Sequence, residues 1–582
     1  MKRVGIVEFA ALGLSIGLTP TSALAQSVDI PLNYAVNTGH NYGGHIANPV
    51  LILTINIGVN GGVAQPYAFD TGSSVFLTPS GVFTGSTVLA TGVGNVETYG
   101  SPGGNTFSGN LYQVPASSLQ FYTAPGATSG GISLSTSGNY NVASYTLLNG
   151  SVPPSQPFGT AAVGAFGASA LAFTKNVSGT NVGLGGVFGQ TVLPGTTAGY
   201  VVSANGQSLA TLNSELGTTI PGGPVTSAQQ SVQTVPQSVT NCNPCVTVGL
   251  TPALLAQFLL LNTVNATSNG MSFPNFNVLG INKFVPFNFT LGPGSTPFSL
   301  NVSLDSGWTD LALQYSGSGP VLTVAARNGG TQETFNIASS PGVPSPYNLS
   351  NSSANIVGIG FFVQNSVLYD LTGQQVGYSP NFVTDANIST TQPLVIDSSS
   401  VPLGLAGVIS GPGGVSVGAG GSATLSGSNT YTGPTSISGA GAYLALVGPG
   451  TISASSEVTV SSGGVFDISN ASSTAMIRSL SGDSNGVVWL GTNSLALSNA
   501  GGLFAGTIIG WGGLELISGT ETLSGTNTYS GATTINGGTL QVFGLDHRHV
   551  GGHSQFGWHA DRNRHRRSRD DEDHGRRYTG AG

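Results

Sequence analysis

Charge is what this sequence has least of. Asp, Glu, Lys and Arg together supply 6% of its 582 residues. Cations are scarcest in the body of the chain: between Gln26 and Gly544 only Lys175, Lys283, Arg327 and Arg478 carry one. A surface so poor in Lys and Arg cannot neutralise a phosphate backbone, which argues against nucleic acid as a partner. Cysteine is nearly absent, with Cys242 and Cys245 as the only two. That excludes a disulfide-stapled scaffold and leaves a structural zinc site short of two ligands. Outside the C-terminal tail His40 and His45 are the only histidines, and both read as loop residues, so a Ser-His or Cys-His nucleophile has almost no base to work with. Past the N-terminus, no apolar run approaches the roughly 20 residues of a membrane-spanning helix.

The N-terminus has the pattern of a signal peptide over residues 1–25. Lys2 and Arg3 form its basic region, Phe9 to Leu18 its apolar region, and Ala23-Leu24-Ala25 a small-residue cleavage site. The protein is therefore expected to be exported. In that compartment Cys242 and Cys245, in Asn241-Cys242-Asn243-Pro244-Cys245, are expected to close a local disulfide.

From Gln26 to about Phe382 the chain consists of short β-like runs separated by Gly, Pro, Asn and Ser, the pattern of an all-β fold. Leu51–Gly58 alternates with period two and is expected to pair with the strand entering Asp70, through a turn at Gly61-Gly62. Asn95–Gly100 and Phe107–Val114 read as a hairpin with a Ser-Pro-Gly-Gly tip, able to cover a cleft. Leu250–Leu261 has the length and composition of a short helix.

Two turns carry chemistry. In Tyr67-Ala68-Phe69-Asp70-Thr71-Gly72-Ser73-Ser74-Val75-Phe76-Leu77 an apolar run delivers one carboxylate into a tight turn and a second apolar run leaves it. Far downstream, Val302-Ser303-Leu304-Asp305-Ser306-Gly307-Trp308-Thr309 repeats the design. Asp-(Ser/Thr)-Gly alone is a common surface turn. A carboxylate placed between two buried strands needs a reason to be there, and two such turns suggest two carboxylates meeting from two half-domains. Adjacent like charges cannot both ionise, so such a pair shares one proton.

Five segments in order resemble the pepsin-like aspartic peptidases. YAFDTGSSVFLTPS is similar to that family's first active-site turn, and VETYGSPGGNTFSGNLYQV resembles its flap. AAVGAFG, at Ala161–Gly167, resembles the apolar-apolar-Gly segment beside the first turn. VSLDSGWTDLAL resembles the second turn, and NIVGIGFFVQNSVLYDLTGQQVGYSP, at Asn355–Pro380, the closing stretch. The resemblance implies a bilobal all-β double barrel over residues 26–382, with lobes at about 26–200 and 246–382. It implies Asp70 and Asp305 as the catalytic dyad, supported by Thr71, Gly72, Ser73, Ser306 and Gly307. Tyr99 and Gly100 would belong to the flap. The implied activity is endopeptidase action on a polypeptide substrate, with no cofactor and no metal. Two departures stand out. Ser306 replaces the usual Thr, and Trp308 stands where the family places a hydroxyl that supports the outer carboxylate oxygen.

After Phe382 the texture changes. Residues 383–406 read as a linker, and from Gly407 the chain repeats: GVISGPGGVSV…ATLSGSNTYTGPTSISG is followed, from Gly506, by GTIIGWGGLEL…ETLSGTNTYSGATTINGG. Thr/Val/Ile/Leu alternation punctuated by Gly and Asn fits a short parallel β-helix over residues 407–544. LSGTNTYSGATTINGGTLQV resembles the passenger-associated repeat of bacterial autotransporters, which implies secretion or display on a Gram-negative-type cell surface and an outer-membrane translocation barrel as partner. No barrel pattern follows. Residues 545–582, with eight Arg and six His, break the texture and are expected to be a disordered, non-native tail. Against the peptidase stand two other readings: an inert surface-displayed binding or structural passenger, and an adhesin working through its repeats.

Overall fold

The computed structural model describes residues 27–37, 50–99, 105–134, 138–169, 172–177, 180–206, 244–263, 284–290, 298–307, 311–312, 323–328, 331–335, 355–363, 365–379, 381–397, 402–543 and 576–580. Cys242, Gly100 and Trp308 fall outside them, so the disulfide and the Trp308 environment lie outside the description. Cys245 itself is buried in a strand.

The fold is all-β. In its first part the strands are β1 (Val28–Asn37), β2 (Val50–Val59), β3 (Gln65–Asp70), β4 (Phe76–Pro79), β5 (Thr87–Tyr99), β6 (Asn105–Pro115), β7 (Leu119–Tyr122), β8 (Asn139–Leu148), β9 (Ala165–Gly167), β10 (Ala172–Val177), β11 (Thr180–Gly185) and β12 (Thr197–Ser203). The second part holds β13 (Cys245–Leu250), α1 (Pro252–Leu255), β14 (Leu259–Asn262), β15 (Phe284–Thr290), β16 (Phe298–Leu304), β17 (Leu311–Ala312), β18 (Thr323–Asn328), β19 (Thr331–Phe335), β20 (Asn355–Val357), α2 (Ile359–Phe362), β21 (Ser366–Asp370) and β22 (Gln375–Ser379).

One continuous sheet runs in the order β14-β22-β21-β12-β13-β1-β2-β3-β9-β4-β8-β6-β5, with β7 on β2. Strands from both parts therefore meet in its middle, where β13 lies between β1 and β12. The alternating run in β2 pairs antiparallel with β3, Thr54 opposite Ala68, and the connecting turn uses left-handed Asn60 and Gly61. A second sheet, β17-β20-β16-β15-β18-β19, holds the strand that leads to Asp305.

The two Asp strands have the same neighbours. β3 runs parallel to β9, with Asp70 opposite Gly167, and β9 is antiparallel to β4. Likewise β16 runs parallel to β20, with Leu304 opposite Val357, and β20 is antiparallel to β17. The apolar-apolar-Gly segments of the sequence thus lie beside both turns.

The helix expected over Leu250–Leu261 shrinks to one turn. Thr251 caps α1, its hydroxyl accepting the Leu254 N–H at 3.2 Å. The chain then enters β14, which pairs with β22, Leu261 opposite Val376. Long-range strand pairing here overrides local helix preference.

The remainder is a parallel β-solenoid of about seven turns. It begins at β23 (Phe382–Thr384), which pairs in parallel with Leu403–Leu405. Residues 383–397 and 402–406, in the stretch expected to be a linker, thus belong to its first coil. The core positions Leu403, Ala423, Leu444, Phe466, Val488 and Ile508 follow at intervals of 20 to 22 residues and stack in register. Their side chains join one continuous apolar column, whose burial supplies the main favourable term. The shared spacing of the two similar sequence stretches has a structural cause. Asn429 accepts the Ile409 N–H at 2.8 Å from the coil above, and Asn527 accepts that of Ile508 at 3.0 Å. Tyr431 and Tyr529 turn inward, each hydroxyl meeting a threonine, Thr435 at 2.6 Å and Thr533 at 2.7 Å. Within the tail expected to be disordered, Arg576–Gly580 forms a strand antiparallel to Gly538–Val542.

The solenoid packs directly on the first part of the chain. Val383 and Ala406 join Val201, Leu250, Leu254, Phe258 and Leu368 in one buried cluster. Around it Gln257 Nε2 donates to Ser426 Oγ at 2.7 Å, Ser426 Oγ to the Ala253 carbonyl at 2.7 Å, and Ser203 Oγ to the Val383 carbonyl at 3.1 Å. Beside this junction, burial raises the Asp385 carboxyl to about 7, with the Asp29 charge adding to it. Burial also raises Asp29, against the opposing effect of the Thr247 hydroxyl, which donates to it at 2.5 Å.

Candidate active site

Asp70 ends β3, and the turn after it is fixed by the carboxylate itself. Gly72 N–H donates to Asp70 Oδ1 at 2.8 Å and Ser73 N–H to the same oxygen at 3.1 Å, while the Ser73 hydroxyl donates to Oδ2. Asp70 is only 4% exposed, so these donors do the work that water does for a carboxylate at the surface. Its backbone carbonyl accepts Ala168 N–H at 2.7 Å, and that of Ser73 accepts Ser169 N–H at 2.7 Å. Gly167 must be a glycine, because a Cβ there would press on the Ser73 and Val75 backbone. The β9 segment thus holds the turn from behind.

Asp305 follows β16, partly buried, with Gly307 N–H donating to its Oδ1 at 2.9 Å. The two turns lock onto each other through their hydroxyl residues. Thr71 N–H donates to Ser306 Oγ at 3.1 Å, and Ser306 N–H to Thr71 Oγ1 at 2.8 Å. Each hydroxyl then donates across: Thr71 Oγ1 to the Leu304 carbonyl at 3.1 Å, Ser306 Oγ to the Phe69 carbonyl at 3.0 Å. All four bonds are buried, and each half mirrors the other. The glycines complete the approach. A Cβ on Gly72 would collide with the Asp305 carboxylate, and one on Gly307 would come within 2.8 Å of Asp70 Oδ2. Only a backbone without a side chain lets each turn lie against the other's carboxylate.

Several supporting residues were not singled out by sequence. Tyr369 in β21 donates its hydroxyl to the Leu304 carbonyl at 3.0 Å from beneath the site and stacks on Tyr200, ring centroids 4.8 Å apart. Burial pushes its hydroxyl far above the ordinary phenol range; the Thr71 hydrogen bond opposes this, and the Asp305 and Asp70 charges add to it. It stays a neutral donor. Tyr200 donates to the Ala168 carbonyl, which ties the same layer to β9. Asn37, buried at the end of β1, donates to the Phe158 carbonyl at 3.0 Å and accepts Ala161 N–H at 3.2 Å. The available signal was a polar residue closing the apolar run Tyr34-Ala35-Val36, which must find a partner when buried.

Glu97 is a further case: its Oε2 accepts Ser74 N–H at 3.1 Å. Tyr99 is the last residue of β5, opposite Asn105 in register. Among the described residues no cluster of three or more His, Cys, Asp or Glu is arranged to hold a metal ion.

Chemically, the arrangement places two carboxylates from two sheets at one point, each against the other's glycine.

A family model described as passenger-associated-transport-repeat matches residues 420–441 and 518–542. These are the two stretches whose Asn and Tyr side chains fill equivalent places in the solenoid. No curated protein sequence matches the chain. Among solved structures, the chain is similar to an aspartic proteinase from Irpex lacteus, with a TM-score of 0.33 and 14% identity, over 61% of this chain and 97% of that one. Among the described residues no helix is long and apolar enough to cross a membrane. The matched repeats are of the kind associated with autotransporter passengers, which are secreted or displayed at the cell surface.

Proposed function

We propose that the part of the chain preceding the solenoid is a pepsin-like aspartic endopeptidase carried on an autotransporter stalk. The observation that carries this reading is the reciprocal lock between Thr71 and Ser306, which sets Asp70 and Asp305 against each other's glycine. A surface turn has no need of four buried hydrogen bonds to a second Asp turn more than 230 positions away.

In this reading the substrate is a polypeptide. One carboxylate of the pair is ionised and takes a proton from a water held between them. The other is protonated and hydrogen-bonds the scissile carbonyl, stabilising the charge that develops on its oxygen. Water adds to the carbonyl carbon, the proton passes through the dyad to the leaving amine, and the C–N bond breaks. The chemistry needs neither a metal nor a covalent intermediate. The pair titrates as a unit, so base and acid are roles of the dyad. The Asp70–Asp305 dyad, its support by Thr71, Gly72, Ser73, Ser306 and Gly307, and a covering role for Tyr99 and Gly100 all belong to this proposal. So does a translocation barrel as partner.

A second reading, an inert passenger, draws on one asymmetry. Asp70 receives a hydroxyl from Ser73, whereas the position equivalent to Ser73 is Trp308, which has no hydroxyl to give.

The test is cleavage of an unfolded protein by the full chain between pH 3 and 7. It is run with and without a hydroxyl-bearing transition-state mimic, beside Asp70→Asn and Asp305→Asn. The expected result is inhibitable cleavage at acid pH that both variants lose while keeping the wild-type circular dichroism. A folded wild-type chain that cleaves at no pH overturns the peptidase and leaves the inert passenger.

A further inference from the structure

The hairpin of β5 and β6 is not uniform along its length. Its register slips between Val88 and Ala90, between Ala90 and Val93, and again between Val93 and Glu97. From Glu97 the ladder becomes regular, with Glu97 opposite Phe107, Thr98 opposite Thr106 and Tyr99 opposite Asn105. Glu97 is thus the first residue of a regular tip that rises from an irregular, bulged base. Bulges bend and twist a strand, so the direction of the β5 arm of the tip is not set by its own ladder.

On the β6 side Asn149 holds the tip, accepting Thr106 N–H at 2.8 Å and donating its own N–H to the Thr106 carbonyl at 2.8 Å; on the β5 side Glu97 is placed to do so. The carboxylate accepts Ser74 N–H at 3.1 Å. Ser74 adjoins Ser73, whose N–H and hydroxyl both hold Asp70. Asp70, Ser73, Ser74 and Glu97 therefore form one short path from the carboxylate pair to the root of the tip. Its neighbour Val96 is buried in the apolar cluster beneath, which fixes the backbone from the other side.

We propose that Glu97 is a positioning residue that sets the tilt of the β5–β6 tip, and with it residue 99, over the Asp70 turn. The inference rests on the peptidase reading for its kinetic consequence, but the tether itself is independent of turnover. A tip that covers bound peptide holds ground state and transition state alike, so loosening it raises KM more than it lowers kcat.

The experiment uses the full chain as wild type, Glu97→Gln and Glu97→Ala. It combines steady-state cleavage of a fluorogenic octapeptide at acid pH with amide hydrogen exchange on residues 70–75 and 105–115. Gln keeps an oxygen that accepts Ser74 N–H; Ala keeps none. The expected result for Ala is a KM raised on the order of tenfold with kcat within about twofold, and for Gln a KM within about twofold of wild type. Exchange at Ser74 and at residues 105–107 should speed up in Ala and not in Gln. A merely structural loss would lower the thermal midpoint and kcat together and would not be rescued by Gln. Unchanged kinetics and exchange in Ala overturn the proposal, as does a KM effect that Gln shares. If the wild type cleaves nothing, the peptidase reading and the kinetic role fall together, while faster exchange in Ala alone still establishes the tether.

Discussion

Thr71 and Ser306 exchange backbone amides across the site: each N–H donates to the other's hydroxyl, at 3.1 and 2.8 Å, from positions 235 residues apart. Neither hydroxyl is replaceable by a carbon. Ser306→Ala leaves Thr71 N–H and the Phe69 carbonyl buried without their partner, which costs roughly 1–3 kcal/mol for each group. Ser306→Thr keeps the oxygen. Chemical denaturation should show the Ala variant destabilised and the Thr variant close to wild type, with any cleavage following the same order.

Gly72 and Gly307 are excluded from every substitution by the carboxylates opposite. Gly72→Ala and Gly307→Ala should each force the two turns apart. If the dyad is catalytic, cleavage falls by at least an order of magnitude while the solenoid, which has its own apolar core, unfolds at the wild-type denaturant concentration. Loss of cleavage with both parts folded is the informative result.

Glu521 is buried within the solenoid, with no exposed surface. Ala423 holds the equivalent place in the first matched repeat, two residues before Leu425 as Glu521 is before Leu523. Burial raises its carboxyl to about 8, the Gly502 and Leu480 amides oppose this, and Glu457 adds to it. The folded state therefore keeps a proton that the unfolded state releases above its ordinary value. Stability falls as pH rises toward 8 and levels off beyond it, by roughly 1.4 kcal/mol per unit of displacement. Glu521→Ala should abolish most of that slope. Urea titrations at pH 5, 7 and 9, read by tryptophan fluorescence, should show the variant gaining most at pH 9.

Asp385 follows the same logic at the junction. Its carboxyl is raised to about 7 by burial and then by Asp29, so ionisation between the ordinary carboxylate range and 7 works against the packed state. Asp385→Asn should stabilise the chain at pH 8 and make little difference at pH 4. A thermal melt at the two pH values checks this, and equal shifts at both would contradict it.

Asn429 and Asn527 each close a coil by accepting an isoleucine amide from the coil above. Asn→Ala at either place should cost about 1–2 kcal/mol, because the amide left behind is buried. Asn→Asp retains the acceptor oxygen and should cost less at neutral pH. Denaturation of the four variants gives the comparison.

Much of this was legible in the residues. Alternation gave β2 and its partner β3, and apolar flanks drew attention to Asp70 and Asp305, because a carboxylate amid buried strands needs donors. The motif around Asn429-Thr430-Tyr431 and Asn527-Thr528-Tyr529 was visible as a repeat. Its spacing, however, was that of two similar coils set several turns apart. The physical repeat is the coil of 20 to 22 residues, hidden because apolar residues of any size, from Ala423 to Phe466, fill the column from Leu403 to Ile508. The same tolerance made residues 383–397 and 402–406 look like linker. α1 was overestimated because the pairing of Leu259–Asn262 with Gln375–Ser379 is invisible to local propensity.

By itself, then, the sequence determined an all-β chain, two Asp turns between apolar strands and a repetitive stalk, since period, turn chemistry and charge poverty are local properties. Only the tertiary structure decided that the two turns meet, that Tyr369 supports Leu304 and Glu97 reaches Ser74, and that the stalk packs on the body. Those facts depend on which groups, far apart along the chain, must be buried together with every donor satisfied, and no local pattern carries that information.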